Sequence, residues 1–205
     1  MLEALITSKT RLKLLLKFFL NSSNISYLRG LEPEFEESTN AIRLELNRFE
    51  KAELLISSTQ GNKKLYQANT KHPLFPEIHK LIIKHVGLDK IIEKVIKNIG
   101  DITELYLVGE LAKGQNSKVI DLWFVGKKLD STYILELVEK AEKLINRKIR
   151  YVILNINELA EFKASKNKDE MLLLWKGWNW WMVTSNWWLV NGYWWLVTGE
   201  LVTGD

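Results

Sequence analysis

Leu12, Leu15, Leu16 and Phe19 return to one face of a helix that Thr7 or Ser8 can open, and Lys9, Arg11, Lys13 and Lys17 fall on its wet side. SYLRGLEPEF predicts a short helix capped by Ser26, and a tight FEES connection leads into a third helix. There Ser38 is the N-cap and Ile42, Leu46 and Phe49 mark the buried stripe. LLISSTQGNKKLYQAN then alternates as two short strands about a Gly61-Asn62 turn. Two connecting helices follow, separated near Gly87, with Leu74, Ile78, Leu81 and Ile82 on the first and Ile91, Ile92, Val95, Ile96 and Ile99 on the second. After Gly100 the pattern becomes strand LYLVG, loop ELAKGQNSK, strand VIDLWFVG, helix STYILELVEKAEKLI and strand IRYVILN, a compact unit of strands and helices. The expected fold class is α+β.

The second and third helices have the spacing of a helix-turn-helix, and the hairpin behind them is placed as a wing. Winding the third helix at roughly 100° per residue puts Asn40, Arg43, Leu44, Asn47 and Arg48 on the outward arc. Arg can bridge guanine acceptors, Asn can bridge adenine, and Leu can meet a thymine methyl, so Asn40, Arg43, Leu44 and Asn47 are candidates for reading bases. Lys63 and Lys64, just past the hairpin turn, and Arg48 are candidates for phosphate contacts. On these residues the chain resembles ArsR-like winged-helix regulators over about residues 7–70. Such regulators commonly carry Gly after the third helix, where this chain has Glu53, and a left-handed Glu would cost about 1 kcal/mol.

In the second half, Gly109, Ala112, Lys113 and Gly114 stand for a Gly-Ser-x-Ala-Arg-Gly motif, and Ile120-Asp121-Leu122 for the end of Ser-Asp-Ile-Asp-Leu. With these the chain resembles the minimal nucleotidyltransferase domain of the DNA-polymerase-β type, over about residues 100–160. The resemblance implies a nucleoside triphosphate positioned by magnesium between two carboxylates on one strand. Val119 occupies the first of those places, Glu110 that of the serine, and Arg150 and Tyr151 lie where a later strand would supply a third acid. The expectation is a catalytically inactive relative with no catalytic residue, no metal and no cofactor. Gly109, Lys113, Gly114 and Asp121 are its residual motif, retained for packing or for sensing an unidentified small-molecule effector.

The expected organisation is a winged-helix DNA-binding domain over 1–69, a helical connector that can pair two copies over 70–99, a degenerate nucleotidyltransferase-like domain over 100–172 and a Trp-rich tail outside the fold over 173–205. The 205 residues suffice for two small domains, and a net charge of +4 permits nucleic-acid binding without requiring it. With no cysteine there is no disulfide, thiolate metal site or cysteine nucleophile. His72, His79 and His85 lack ligand spacing and are expected to be solvated or packed. The N-terminus is amphipathic with no cleavage site, which argues against a signal peptide and for a cytoplasmic protein without a membrane segment.

Eight of the nine tryptophans follow residue 174, and Trp-Trp pairs begin at 180, 187 and 194. Neither a helix nor a strand makes use of that spacing, whereas a short DNA repeat rich in the TGG codon, read after a frameshift or a lost stop, generates it. Three functions remain in view. The first is a homodimeric transcriptional regulator on double-stranded DNA without enzymatic activity. The second is a magnesium-dependent nucleotidyltransferase using Asp121. The third is a non-catalytic protein-interaction module.

Overall fold

The structure, a computed structural model, describes residues 2–98, 102–164, 170–177, 189–190 and 193–194. It is a mixed α+β fold. Ser8 Oγ accepts from the Arg11 amide at 3.2 Å and opens α1 (Lys9–Leu15), which continues directly into a π-helical turn over Leu16–Leu20. That turn closes its hydrogen bonds five residues apart, so the buried face changes phase. Lys17, expected on the wet side, is consequently turned inward, where its Nζ meets Glu34 at 2.8 Å.

Ser26 does not cap the next helix. It pairs with Tyr66 in β1 (Ser26–Tyr27), and Tyr27 leads into α2 (Leu28–Phe35) without a side-chain cap. Glu36 supplies the left-handed turn after α2, and Ser38 Oγ then accepts from the Ala41 amide to start α3 (Thr39–Lys51). Ile42, Leu46 and Phe49 are buried as their spacing requires. Glu53 takes the left-handed conformation, φ 58°, at the place where glycine was missed. β2 (Leu55–Gln60) and β3 (Lys63–Ala68) then form a hairpin about Gly61, and the small sheet has the order β1-β3-β2.

α4 (Phe75–Val86) turns Phe75, Ile82 and Val86 inward. Leu74 precedes its first turn and Leu81 points outward, so both are exposed rather than part of a buried stripe. Gly87 (φ 90°) makes the corner into α5 (Leu88–Asn98), where Ile91 is buried and Ile92 partly so. The side chains of Val95, Ile96 and Ile99 lie outside the described residues.

The larger sheet consists of β4 (Ile102–Val108), β5 (Val119–Gly126), β6 (Lys148–Leu154) and β7 (Met171–Lys176), in the order β6-β5-β4-β7. A four-residue helix, α6 (Gly109–Ala112), follows β4, and α7 (Ser131–Ile145) is the crossover that makes β5 and β6 parallel. Besides β1 and α6, two further elements were not anticipated. α8 (Ile156–Ala164) is opened by a capping box: Asn155 Oδ1 accepts from the amides of Asn157 and Glu158, and Glu158 Oε2 accepts from the Asn155 amide. β7 incorporates Leu173 to Lys176, which the sequence reading assigned to the tail, and the Gly177 amide still bonds to the Thr103 carbonyl at 2.7 Å. Farther on, Leu189–Val190 pairs antiparallel with Tyr193–Trp194, while the Trp-Trp repeat as a whole lies outside the described residues.

A continuous core runs from Leu12, Phe18 and Phe19 through Ile42 and Ile82 to Leu122, Phe124 and Ile134, joining the N-terminal helices to one face of the larger sheet. A smaller core of Tyr106, Val108, Trp123, Val125, Leu154 and Leu159 fills the other face beneath α8.

Candidate functional site

β5 alternates its side chains, sending Ile120, Leu122 and Phe124 into the large core and leaving Val119, Asp121 and Trp123 on the opposite face. α8 covers the Trp123 end of that face, where the ring meets Phe162 edge-on at 5.4 Å. At the other end Asp121 sits opposite Val108 on β4 and next to Arg150 on β6. The Arg150 side chain is 72% exposed and that of Asp121 21%, so the pair stands at the mouth of this corner.

Gly109 ends β4 with φ +74°, and a Cβ there would lie 3.0 Å from Asp121 Oδ2. A side chain at 109 would press on the carboxylate as well as strain the backbone. Arg150 closes a two-pronged ion pair, with Nε donating to Oδ1 at 2.6 Å and Nη2 to Oδ2 at 2.9 Å. The hydrogen bonds and charge of Asp121 raise the pKa of Arg150, and Glu110 adds to this from farther away.

The residual motif is only partly gathered. Gly109 and Asp121 touch, whereas Lys113 reaches Glu170 at 2.8 Å and Gly114 turns toward the N-terminal unit. A Cβ at Gly114 would lie 2.4 Å from Lys17 Cα. Nearby, the buried Asn21 and Asn24 both direct Nδ2 to the Ala112 carbonyl, at 3.1 and 3.4 Å. The last carbonyl of α6 is thus satisfied from the first third of the chain.

The residues do not fit the magnesium arrangement that the nucleotidyltransferase resemblance implies. Both oxygens of Asp121 are engaged by Arg150, Val119 offers no ligand atom, and no group of three or more His, Asp or Glu side chains that could hold a metal ion occurs among the described residues.

A second polar cluster lies on the same face under α8. Tyr106 Oη donates to Glu104 Oε2 at 2.6 Å, Lys176 meets Glu104 Oε1 at 3.0 Å, and Lys163 lies 3.5 Å from Oε2 and above the Tyr106 ring. Burial pushes the Glu104 pKa up, but Tyr106 and the two lysines outweigh it and leave the carboxyl below its ordinary range. Burial and the same carboxylate drive the Tyr106 pKa far above its ordinary value.

On α3, Asn40, Arg43, Leu44, Asn47 and Arg48 are all exposed, as their arc predicts. The cations expected to meet phosphates are occupied within the chain. Arg48 donates to the buried Glu45 at 2.8 Å, Lys64 pairs with Glu50 at 2.7 Å, and Lys63 lies 4.5 Å above the Tyr27 ring. Glu45 is also held by Arg11 at 2.9 Å; burial raises its pKa, but the two guanidinium groups leave it lowered. No helix among the described residues is long and apolar enough to cross a membrane.

No protein-family model matches the chain, and neither does any curated protein. Among solved structures it is similar to a mutant of the toxin-antitoxin MntA-HpeT, with 20% identity over 44% of this chain and 72% of the other and a TM-score of 0.36. A toxin-antitoxin structure with AMP-PNP shares 21% identity over 43% of this chain and 73% of the other, TM-score 0.35. A protein from Sulfolobus solfataricus provisionally named a nucleotidyltransferase shares 23% over 48% and 86%, TM-score 0.34. The expectation of a DNA-binding transcriptional regulator carrying an inactive domain is corrected here: the lysines and arginine meant for DNA phosphates are engaged by the chain itself.

Proposed function

We propose that the chain is a nucleotidyltransferase, which binds a nucleoside triphosphate at the corner formed by β4, α6 and β5 and passes the nucleotidyl group to an acceptor hydroxyl. The observation that carries this reading is the left-handed Gly109 turn, which brings its backbone against the Asp121 carboxylate, so close that a Cβ would lie 3.0 Å from Oδ2. In this reading Asp121 orients the acceptor and takes its proton, because a carboxylate paired with one guanidinium keeps unused lone pairs. The acceptor oxygen attacks the α-phosphorus, the bond to the bridging oxygen breaks, and pyrophosphate leaves with the electron pair. Because the corner does not fit magnesium, no step is assigned to a metal. The N-terminal helices and hairpin, which we read as a winged-helix-type unit, hold the Ala112 end of α6 through Asn21 and Asn24.

The test is incubation of the purified chain with α-labelled nucleoside triphosphates and with cellular RNA or protein fractions, once with magnesium and once in EDTA. Label in a product together with released pyrophosphate is expected, and Asp121→Asn is expected to slow it by about a hundredfold or more. Absence of labelled product from folded protein in every fraction refutes the reading.

A further inference from the structure

Resting on the nucleotide site proposed above, we propose that Arg150 replaces the divalent cation there, so that the nucleoside triphosphate is bound as the metal-free polyanion. Arg150 and Asp121 are nearest neighbours on parallel strands, in register and on one face. The guanidinium closes on both carboxylate oxygens at 2.6 and 2.9 Å, which neutralises their charge and puts a fixed positive charge in front of them where a hard cation would have to approach.

A guanidinium has five N–H donors in a rigid fork, and the contacts to Asp121 use the Nε donor and one on Nη2. The remaining donors lie on a side chain that is 72% exposed. Phosphate oxygens match that fork geometry. Asp121 thus orients the guanidinium instead of sharing a metal, and Val119 supplies a small apolar wall where a second acid would draw in a cation. Magnesium bound to the triphosphate would compete with Arg150 for the same oxygens.

The test is calorimetric titration of the full chain with ATP, in EDTA and in excess magnesium, for the wild type, Arg150→Ala and Arg150→Lys. Wild-type affinity in EDTA is expected to equal or exceed that in magnesium, Arg150→Ala to lose at least tenfold in EDTA, and Arg150→Lys to recover part of that loss. Circular dichroism spectra and melting of the variants establish that they are folded; Arg150 lies on the exposed side of an edge strand. Wild-type binding that requires magnesium, or an Arg150→Ala affinity equal to wild type in EDTA, overturns the inference and leaves the proposed function standing. Absence of ATP binding under both conditions overturns the inference and the proposed nucleotide site together.

Discussion

Gly114 lies against the backbone of Lys17, where an added Cβ would come within 2.4 Å of the Lys17 Cα and 2.8 Å of its carbonyl oxygen. Both atoms belong to main chain, so neither can swing aside, and Gly114 also has φ +78°. Gly114→Ala should therefore destabilise the chain by about 2 to 4 kcal/mol, from overpacking and the left-handed backbone together. Chemical denaturation measures this, and a loss below half a kcal/mol would mean that the two halves do not meet here.

Lys17 and Glu34 form a pair whose side chains are 11% and 13% exposed. Removing one charge strands the other, so Glu34→Ala should cost about 3 kcal/mol, whereas Lys17→Met combined with Glu34→Leu should cost far less. A double-mutant cycle in denaturant measures the difference, and additive losses would rule the coupling out.

α1 and α3 were readable because their apolar spacing is helical and Ser8 and Ser38 supply their caps, whereas the π-helical turn and the uncapped α2 left no such signal. α8 was not, since Leu159 is its buried residue and leaves no stripe to recognise, although the Asn155 and Glu158 capping box was present in the sequence. β7 was hidden for another reason. Its MLLLWK run is apolar without strand alternation and leads straight into the Trp-rich segment, and only pairing with distant β4 distinguishes it. Of the candidate corner, Asp121 and Gly109 could be located from the motif, but the closure by Arg150 depends on a parallel register that local pattern does not specify.

Glu53 occupies the left-handed region at φ 58°. Its side chain gains nothing from that geometry that glycine lacks, so Glu53→Gly should raise stability by about 0.5 to 1 kcal/mol. A melting temperature that falls would show the side chain contributes more than its backbone strain costs.

His79 is half-buried, stacks on Phe75 at 5.9 Å and donates through Nδ1 to the Phe19 carbonyl at 2.6 Å. Burial pushes its pKa below the ordinary 6.5, against the opposing pull of the Phe19 carbonyl. The unfolded chain therefore binds the proton first, and this contribution to stability is complete above about pH 6.5 and declines as pH falls below it. Denaturation midpoints across pH 7.5 to 5 should drop for the wild type and drop less for His79→Leu. Equal slopes would exclude His79 as the source.

The strand order β6-β5-β4-β7 carries a cost during synthesis. The outer edge of β4 is completed by a strand that begins roughly sixty residues later. At ribosomal rates of about 5 to 20 residues per second, the nascent chain displays that unpaired, strongly apolar edge for several seconds before its partner emerges. Association of half-made chains through that edge is accordingly a hazard of producing this protein, and one that slower initiation reduces and slower elongation does not.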